Sequence, residues 1–146
     1  HGEDVFMFWK TLLEYGSLWF IGGSIYYTLE RIFRGFSHWS MFVLGGICLM
    51  FFAFQGKASN WSEVLWKQVL RCTLFVISCE FMTGLLVNKW LNWGVWDYSN
   101  QPFHIFGQIC LTFALVFAVL SAVGIVLSGY LLHWIFGEKK PKYRLL

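Results

Sequence analysis

FHIFGQICLTFALVFAVLSAVGIV, residues Phe103 to Val126, holds no Asp, Glu, Lys or Arg over its whole length. A hydrocarbon layer about 30 Å thick takes about 20 helical residues to cross, so an uncharged run of this length reads as a membrane span. Three more apolar runs lie upstream, at about Leu12–Leu29, Ser40–Phe54 and Val69–Val87. The second is short, and its ends are expected at the interface, where the bilayer can thin to meet them. After Val126 the apolar residues Leu127, Leu131, Leu132, Ile135 and Phe136 are joined by Ser128 and His133, and Glu138-Lys139-Lys140 follow. This predicts a fourth helix that runs out into an interfacial amphipathic segment over 127–137. The expected fold is therefore an all-α integral membrane protein. It is one domain over residues 1–146, a bundle of about four transmembrane helices with a C-terminal interfacial amphipathic segment.

Composition points the same way. Of the 146 residues 58% are hydrophobic and 13% charged, with a mean hydropathy of +0.57. A soluble domain has about a quarter of its residues charged. Here charge runs out before a water-facing surface would, so lipid is the other solvent and the bilayer is the first partner. Nine Trp and six Tyr suit the bilayer–water boundary, because each ring has an apolar body and a polar tip. The net charge of +3 is mild, and no basic run precedes the C-terminus, so nucleic acid is not an expected partner. Because the chain opens on His1 rather than Met, His1–Asp4 are read as candidate foreign residues. The first span has no basic leader and carries Glu14, which argues against a cleavable signal.

The balance of Lys and Arg sets the expected orientation. With four spans, one side holds Lys10, Lys57, Lys67, Arg71, Lys139, Lys140, Lys142 and Arg144, and the other holds Arg31, Arg34 and Lys89. Both termini are thus expected in the cytoplasm. Asn60 and Glu63 are spaced as a helix-starting box for the third helix. The two outward loops, Gly35–Ser40 and Trp93–Pro102, are rich in aromatic and hydrogen-bonding residues and read as folded.

Ionisable groups within a membrane are costly and are candidates for function. Glu80 lies mid-span, with Gly84 and Asn88 at i+4 and i+8 and Thr73 before it, a stripe that turns the carboxyl inward. It could bind a cation, carry a proton, or be a structural carboxylate. Glu30 and Arg34 at i and i+4 make a helix-surface ion pair, or Arg34 is the outer partner of Glu80, Asp97 or an anionic ligand. Glu14 is expected to snorkel. Gly107, Cys110, Ala114, Ala118 and Ser121 form a small-residue packing seam, and Gly22-Gly23 and Gly45-Gly46 serve close approach or a local kink. Cys48, Cys72, Cys79 and Cys110 read as buried thiols rather than a disulfide scaffold. Cys110 with His104 or His38 is the one nucleophile–base pairing on offer. No H-E-x-x-H, phosphate-binding Gly-rich loop or Cys/His metal spacing occurs, so no metal or cofactor is expected and this chain is not an ATP-hydrolysing part.

Several blocks together resemble a known family: Gly22-Gly23, Tyr26-Tyr27 and Leu29-Glu30, then Arg34-Gly35, Ser37-His38-Trp39-Ser40-Met41-Phe42 and Leu44-Gly45-Gly46. They continue with Glu80-Phe81, Gly84 and Asn88, then Val95-Trp96-Asp97-Tyr98-Ser99, Gly107-Gln108-Ile109-Cys110-Leu111 and the tail from Phe136 to Arg144. The chain resembles the small bacterial membrane proteins labelled "putative ABC transporter permease", the type IV group. The resemblance covers nearly the whole chain; His104 and Ser128-Gly129 depart from the family pattern. It implies a multi-pass membrane protein whose motif residues gather at the outer half: Glu30, Arg34, His38, Glu80, Asn88, Trp96, Asp97, Tyr98 and Gln108. Converging polar groups under an aromatic lid are the default binding site.

Three readings follow. One is transport or binding of a small solute, with cations among the candidates, by a homo-oligomer, with Glu80 as acceptor, Asp97, Tyr98 and Gln108 as outer gate, and Tyr26, Tyr27 and Trp96 as aromatic cation contacts. Another is a membrane enzyme acting on a lipid or lipid-linked substrate through Cys110, His38, His104 or Asp97. The last is a structural or accessory subunit whose polar groups lock helices together.

Overall fold

A computed structural model describes residues 2–145. His1 lies outside them, and Gly2–Asp4 open the first helix. The order is α1 Gly2–Arg34, α2 Trp39–Ala58, α3 Leu65–Gly84 and α4 Leu111–Phe136, with a π-helical turn, Leu85–Trp90, extending α3. Among the described residues three helices are long and apolar enough to cross a membrane: α2, α3 with its extension, and α4. The chain is thus an all-α membrane protein. α1 has 33 residues, about 50 Å of helix, yet it is not among the three. Glu14 and a mixture of Gly, Ser, Tyr and Trp dilute its apolar run between Leu12 and Leu29.

α2 is the central helix: 61% of its apolar window is buried, against 22% for α3 and 22% for α4. α1 packs along α2, while α3 and α4 pack on α2 and on each other; α1 and α4 scarcely touch. Leu18, Leu44, Leu49, Phe52 and Ile125 lie in the buried core between them. Glycines set the α1–α2 distance. A methyl group on Gly46 would lie 2.5 Å from the Trp19 carbonyl oxygen, and one on Gly23 would lie 2.6 Å from that of Phe42. The two Gly-Gly pairs therefore let backbone meet backbone.

The seam expected on the last helix is displaced. Gly107 and Cys110 precede α4, which starts at Leu111 rather than near Phe103. Phe103, Phe106 and Gly107 all have left-handed backbone, which no α-helix accommodates. Close approach on α4 falls instead to Gly124, against the Phe52 ring, and to Gly129, beneath Pro141. Residues 127–136 continue α4 without interruption to a left-handed C-cap at Gly137.

The box expected at Asn60 and Glu63 does not form. Asn60 and Trp61 both adopt left-handed conformations, and α3 starts later, after Val64, with no side-chain cap. Glu63 pairs with Arg71 at 2.7 Å instead. The start of α3 is satisfied by the tail: the Leu65 amide donates to the Arg144 carbonyl at 2.7 Å. Tyr143 donates its hydroxyl to the Ile125 carbonyl at 2.9 Å and packs edge-on against buried Trp61. Glu14 does not snorkel. It is 1% exposed and pairs with Lys57 at 3.0 Å and Lys10 at 3.8 Å, and Lys10 also reaches Glu138 at 3.2 Å. The start of α1, the α2–α3 turn and the tail thus share one end of the bundle, here the tail end. The α1–α2 and α3–α4 connections meet at the other, the loop end, where His38 and Trp93 pack ring to ring.

Candidate functional site

The loop end rests on one face of α3. Glu80, Gly84 and, across the π-helical turn, Asn88 are all buried on it, as their spacing requires. Asn88 Oδ1 accepts from the amides of Val95 at 2.7 Å and Trp96 at 3.2 Å, and Nδ2 donates to Gln108 Oε1 at 2.7 Å. Trp96 donates its indole N–H to the Gln108 carbonyl at 3.0 Å, and Gln108 Nε2 donates to the Phe106 carbonyl at 2.9 Å. These bonds fold the 91–110 connection into a lid. Gly107 sits at its tightest point: its φ is +71°, and a methyl there would lie 2.5 Å from Asp97 Oδ1. Its carbonyl accepts from the Tyr98 amide at 2.7 Å, which aims the Tyr98 ring into the bundle.

Under the lid, four side chains form a relay. Tyr98 donates its hydroxyl to Glu80 Oε1 at 3.1 Å, and the phenol oxygen accepts from Arg34 Nη2. Arg34 Nε pairs with Glu30 at 3.2 Å. The guanidinium also lies over the Phe113 ring, 4.5 Å from its centroid, and Phe113 stacks on Tyr98 at 4.8 Å. Burial, then the neighbouring Glu80 carboxylate, pushes the Tyr98 phenol well above its ordinary range. Tyr98 therefore stays a proton donor to Glu80. One guanidinium serves two carboxyl groups, which leaves the relay one negative charge in excess whenever both are ionised. Glu80 also lines a cavity of about 140 Å³ whose walls include Tyr26 of α1, Cys48 of α2 and Ser121 of α4.

Of the residues singled out in the sequence, Glu30, Arg34, Glu80 and Tyr98 come together. Arg34 reaches Glu80 through Tyr98, and it does not pair with Asp97. Asn88, Trp96 and Gln108 form the lid's framework, with their polar atoms used internally. His38 stands apart as the N-cap of α2. Its Nδ1 accepts from the Ser40 amide at 3.1 Å, and its ring touches Trp39 and Trp93. The Cys110–His104 pairing is not made: His104 Nδ1 accepts from the Gly107 amide at 3.1 Å, and Cys110 is the buried residue before α4. All four cysteines are free. Phe113 and the cavity-lining role of Ser121 escaped sequence reasoning. The signal available was a pair of hydroxyls, Ser121 and Ser128, seven residues apart on the buried face of α4.

Asp97 is exposed. Its Oδ1 accepts from the Ser99 amide at 2.9 Å, and this backbone bond holds the carboxyl below the ordinary aspartate range. A depressed carboxyl stabilises the fold above its unfolded pKa, and that contribution is lost as pH falls through the folded value. Ser99 amide protection in hydrogen exchange, corrected for intrinsic rate, should therefore hold from neutral pH down through the ordinary aspartate range. It should fail only in stronger acid, and Asp97→Ala should lack it at every pH. Equal protection in the variant would show that the Asp97 carboxylate does not order the turn.

A family model described as "Putative ABC-transporter type IV" matches residues 15–144, a stretch that contains the relay and the lid. No curated protein matches the chain at a significant level, and no solved structure does.

Proposed function

The chain belongs to the family described as putative ABC-transporter type IV, and on that premise we propose that it binds and moves a small cationic solute through the polar site around Glu80. The observation that carries this reading is the charge balance of the relay. Glu80, 3% exposed, faces a cavity on one side. On the other it is held by a neutral phenol, while the only guanidinium in the relay is paired with Glu30. A buried carboxylate without its own counter-charge calls for a cation or a proton. The relay and Tyr26 supply the acceptor and an aromatic wall for such a guest.

The same proposal sets the protein in the bacterial plasma membrane, multi-pass, with α1 as a fourth span and both termini in the cytoplasm. The support is the excess of Lys and Arg at the tail end, eight residues against Arg31, Arg34 and Lys89, which matches the positive-inside pattern. We take the working unit to be a homo-oligomer, as four helices give one chain few walls for a passage. A second reading has an observation of its own: the relay ties α1, α3 and the lid together, as a purely structural lock would.

Thermal melting in detergent separates the two. Wild type and Glu80→Gln would be scanned with sodium, magnesium, guanidinium and methylammonium. At saturating concentration a ligand of the native state should raise the melting temperature of wild type by about 5–10 °C. The shift should be absent in Glu80→Gln. If no cation shifts wild type and the variant melts lower at every pH, Glu80 is a structural carboxylate.

A further inference from the structure

We infer that the site takes a hydrophobic amine, a ring-sized apolar body carrying one ammonium group, and receives it sideways from the lipid through a groove between α1 and α4. The inference deepens the proposed function and rests on Glu80 being the acceptor. It starts from the helix arrangement: α1 and α4 scarcely touch, so the cavity beside Glu80 is walled by both helices and floored by α2. Its rim is exposed at Ile25, 40%, and Val123, 59%. In a chain embedded in a bilayer, that rim faces acyl chains rather than water.

The lining is apolar except at a few points. Glu80 is the one charged residue in the wall, joined by Tyr26, Ser121 and Cys48. Ser121 is 1% exposed, and its Oγ has no hydrogen-bond partner. A hydroxyl in a helix ordinarily satisfies itself on a carbonyl one turn back, so an orphaned one on a cavity wall is free to pair with a polar guest, as acceptor or donor. An acyl tail would use neither Ser121 nor Glu80, whereas an ammonium can donate to either. Size narrows the guest further. A dry cavity of about 150 Å³ accepts benzene, and this one measures about 140 Å³. A coordinated metal ion is a poorer fit, because among the described residues no three His, Cys, Asp or Glu side chains cluster to hold one.

The test compares benzylammonium, methylammonium and neutral benzyl alcohol on the full chain in lipid nanodiscs, with apparent affinities read from melting-temperature shifts against concentration. Burying the ring should make benzylammonium at least about tenfold tighter than methylammonium. Benzyl alcohol should not compete, and Glu80→Gln should bind none of the three. Ser121→Leu fills the groove and Val123→Trp covers its mouth, so in each the advantage of benzylammonium over methylammonium should fall to near unity. Val123→Trp lies at an exposed position and keeps the test available if the buried variants do not fold. Equal affinity of the two amines in wild type would overturn the hydrophobic-amine inference and leave Glu80 as a cation acceptor. Binding of neither amine, with no response to any inorganic cation, would overturn both readings. If benzyl alcohol binds as well as benzylammonium, and Glu80→Gln still binds it, the groove is only an apolar cleft for lipid and the inference fails.

Discussion

Arg34→Met should lower the free energy of unfolding by about 3–5 kcal/mol, the usual cost of removing one partner from a buried ion pair. Arg34 and Glu30 are shielded from solvent, with side-chain exposures of 18% and 7%, so little screening offsets the loss. Methionine keeps an unbranched apolar stem over the Phe113 ring, so the packing loss is small and the missing charge dominates. Two carboxyl groups then remain in the relay without a cation, and Tyr98 loses the donor to its phenol oxygen. Adding Glu30→Gln to the same chain removes one of the two carboxylates and should recover more than half of the loss. Reversible denaturation in mixed micelles reads both values. A loss under about 1 kcal/mol for Arg34→Met, in the range of an exposed pair, would mean that the relay does not hold the loop end.

Gly46→Ala is expected to be the other large effect, at about 1–3 kcal/mol, the usual cost of overpacking. The added methyl would stand 2.5 Å from the Trp19 carbonyl oxygen, which is backbone and cannot rotate aside. α1 would have to lift from α2, the helix that the other three pack around. Gly16→Ala is the matched control. Nothing lies within 4 Å of a methyl at that position, so the change should be neutral or add up to about 1 kcal/mol through helix propensity. The same micelle assay reads both. Similar results for the two glycines would mean that α1 and α2 are not held at backbone contact.

The main outline of this fold can be read from residue order, because long uncharged runs and a small allowance of charge leave few alternatives. The inward turn of Glu80 was also legible, since Gly84 and Asn88 repeat its face. What escaped the reading lies in backbone conformations that side-chain type does not announce. Asn60, Trp61, Phe103 and Phe106 take left-handed geometry, which is uncommon outside glycine. As a result the spacing of Asn60 and Glu63 suggests a cap that the third helix lacks, and the uncharged run begins before the fourth helix does. The expected outer gate divided for a similar reason. Tyr98 points into the bundle, whereas Asp97, the residue before it, is exposed, and Gln108 is consumed by the lid. The groove left little trace, because a gap between two helices that barely meet produces no periodic pattern in either.

The tail's contacts also bear on biosynthesis. Leu65 opens α3, yet its amide is satisfied by the carbonyl of Arg144, and Glu138 completes the charge set around Lys10 and Lys57. Both partners leave the ribosome after all four helices have been made. Until then the Leu65 amide lacks its carbonyl partner, and Lys57 has Glu14 as its sole carboxylate partner. The first hairpin can pair as soon as it is inserted, because its glycine contacts lie within α1 and α2. The end where the tail docks closes last, so a chain cut before Pro141 would keep Glu138 beside Lys10 and Lys57 yet leave the Leu65 amide without its Arg144 partner.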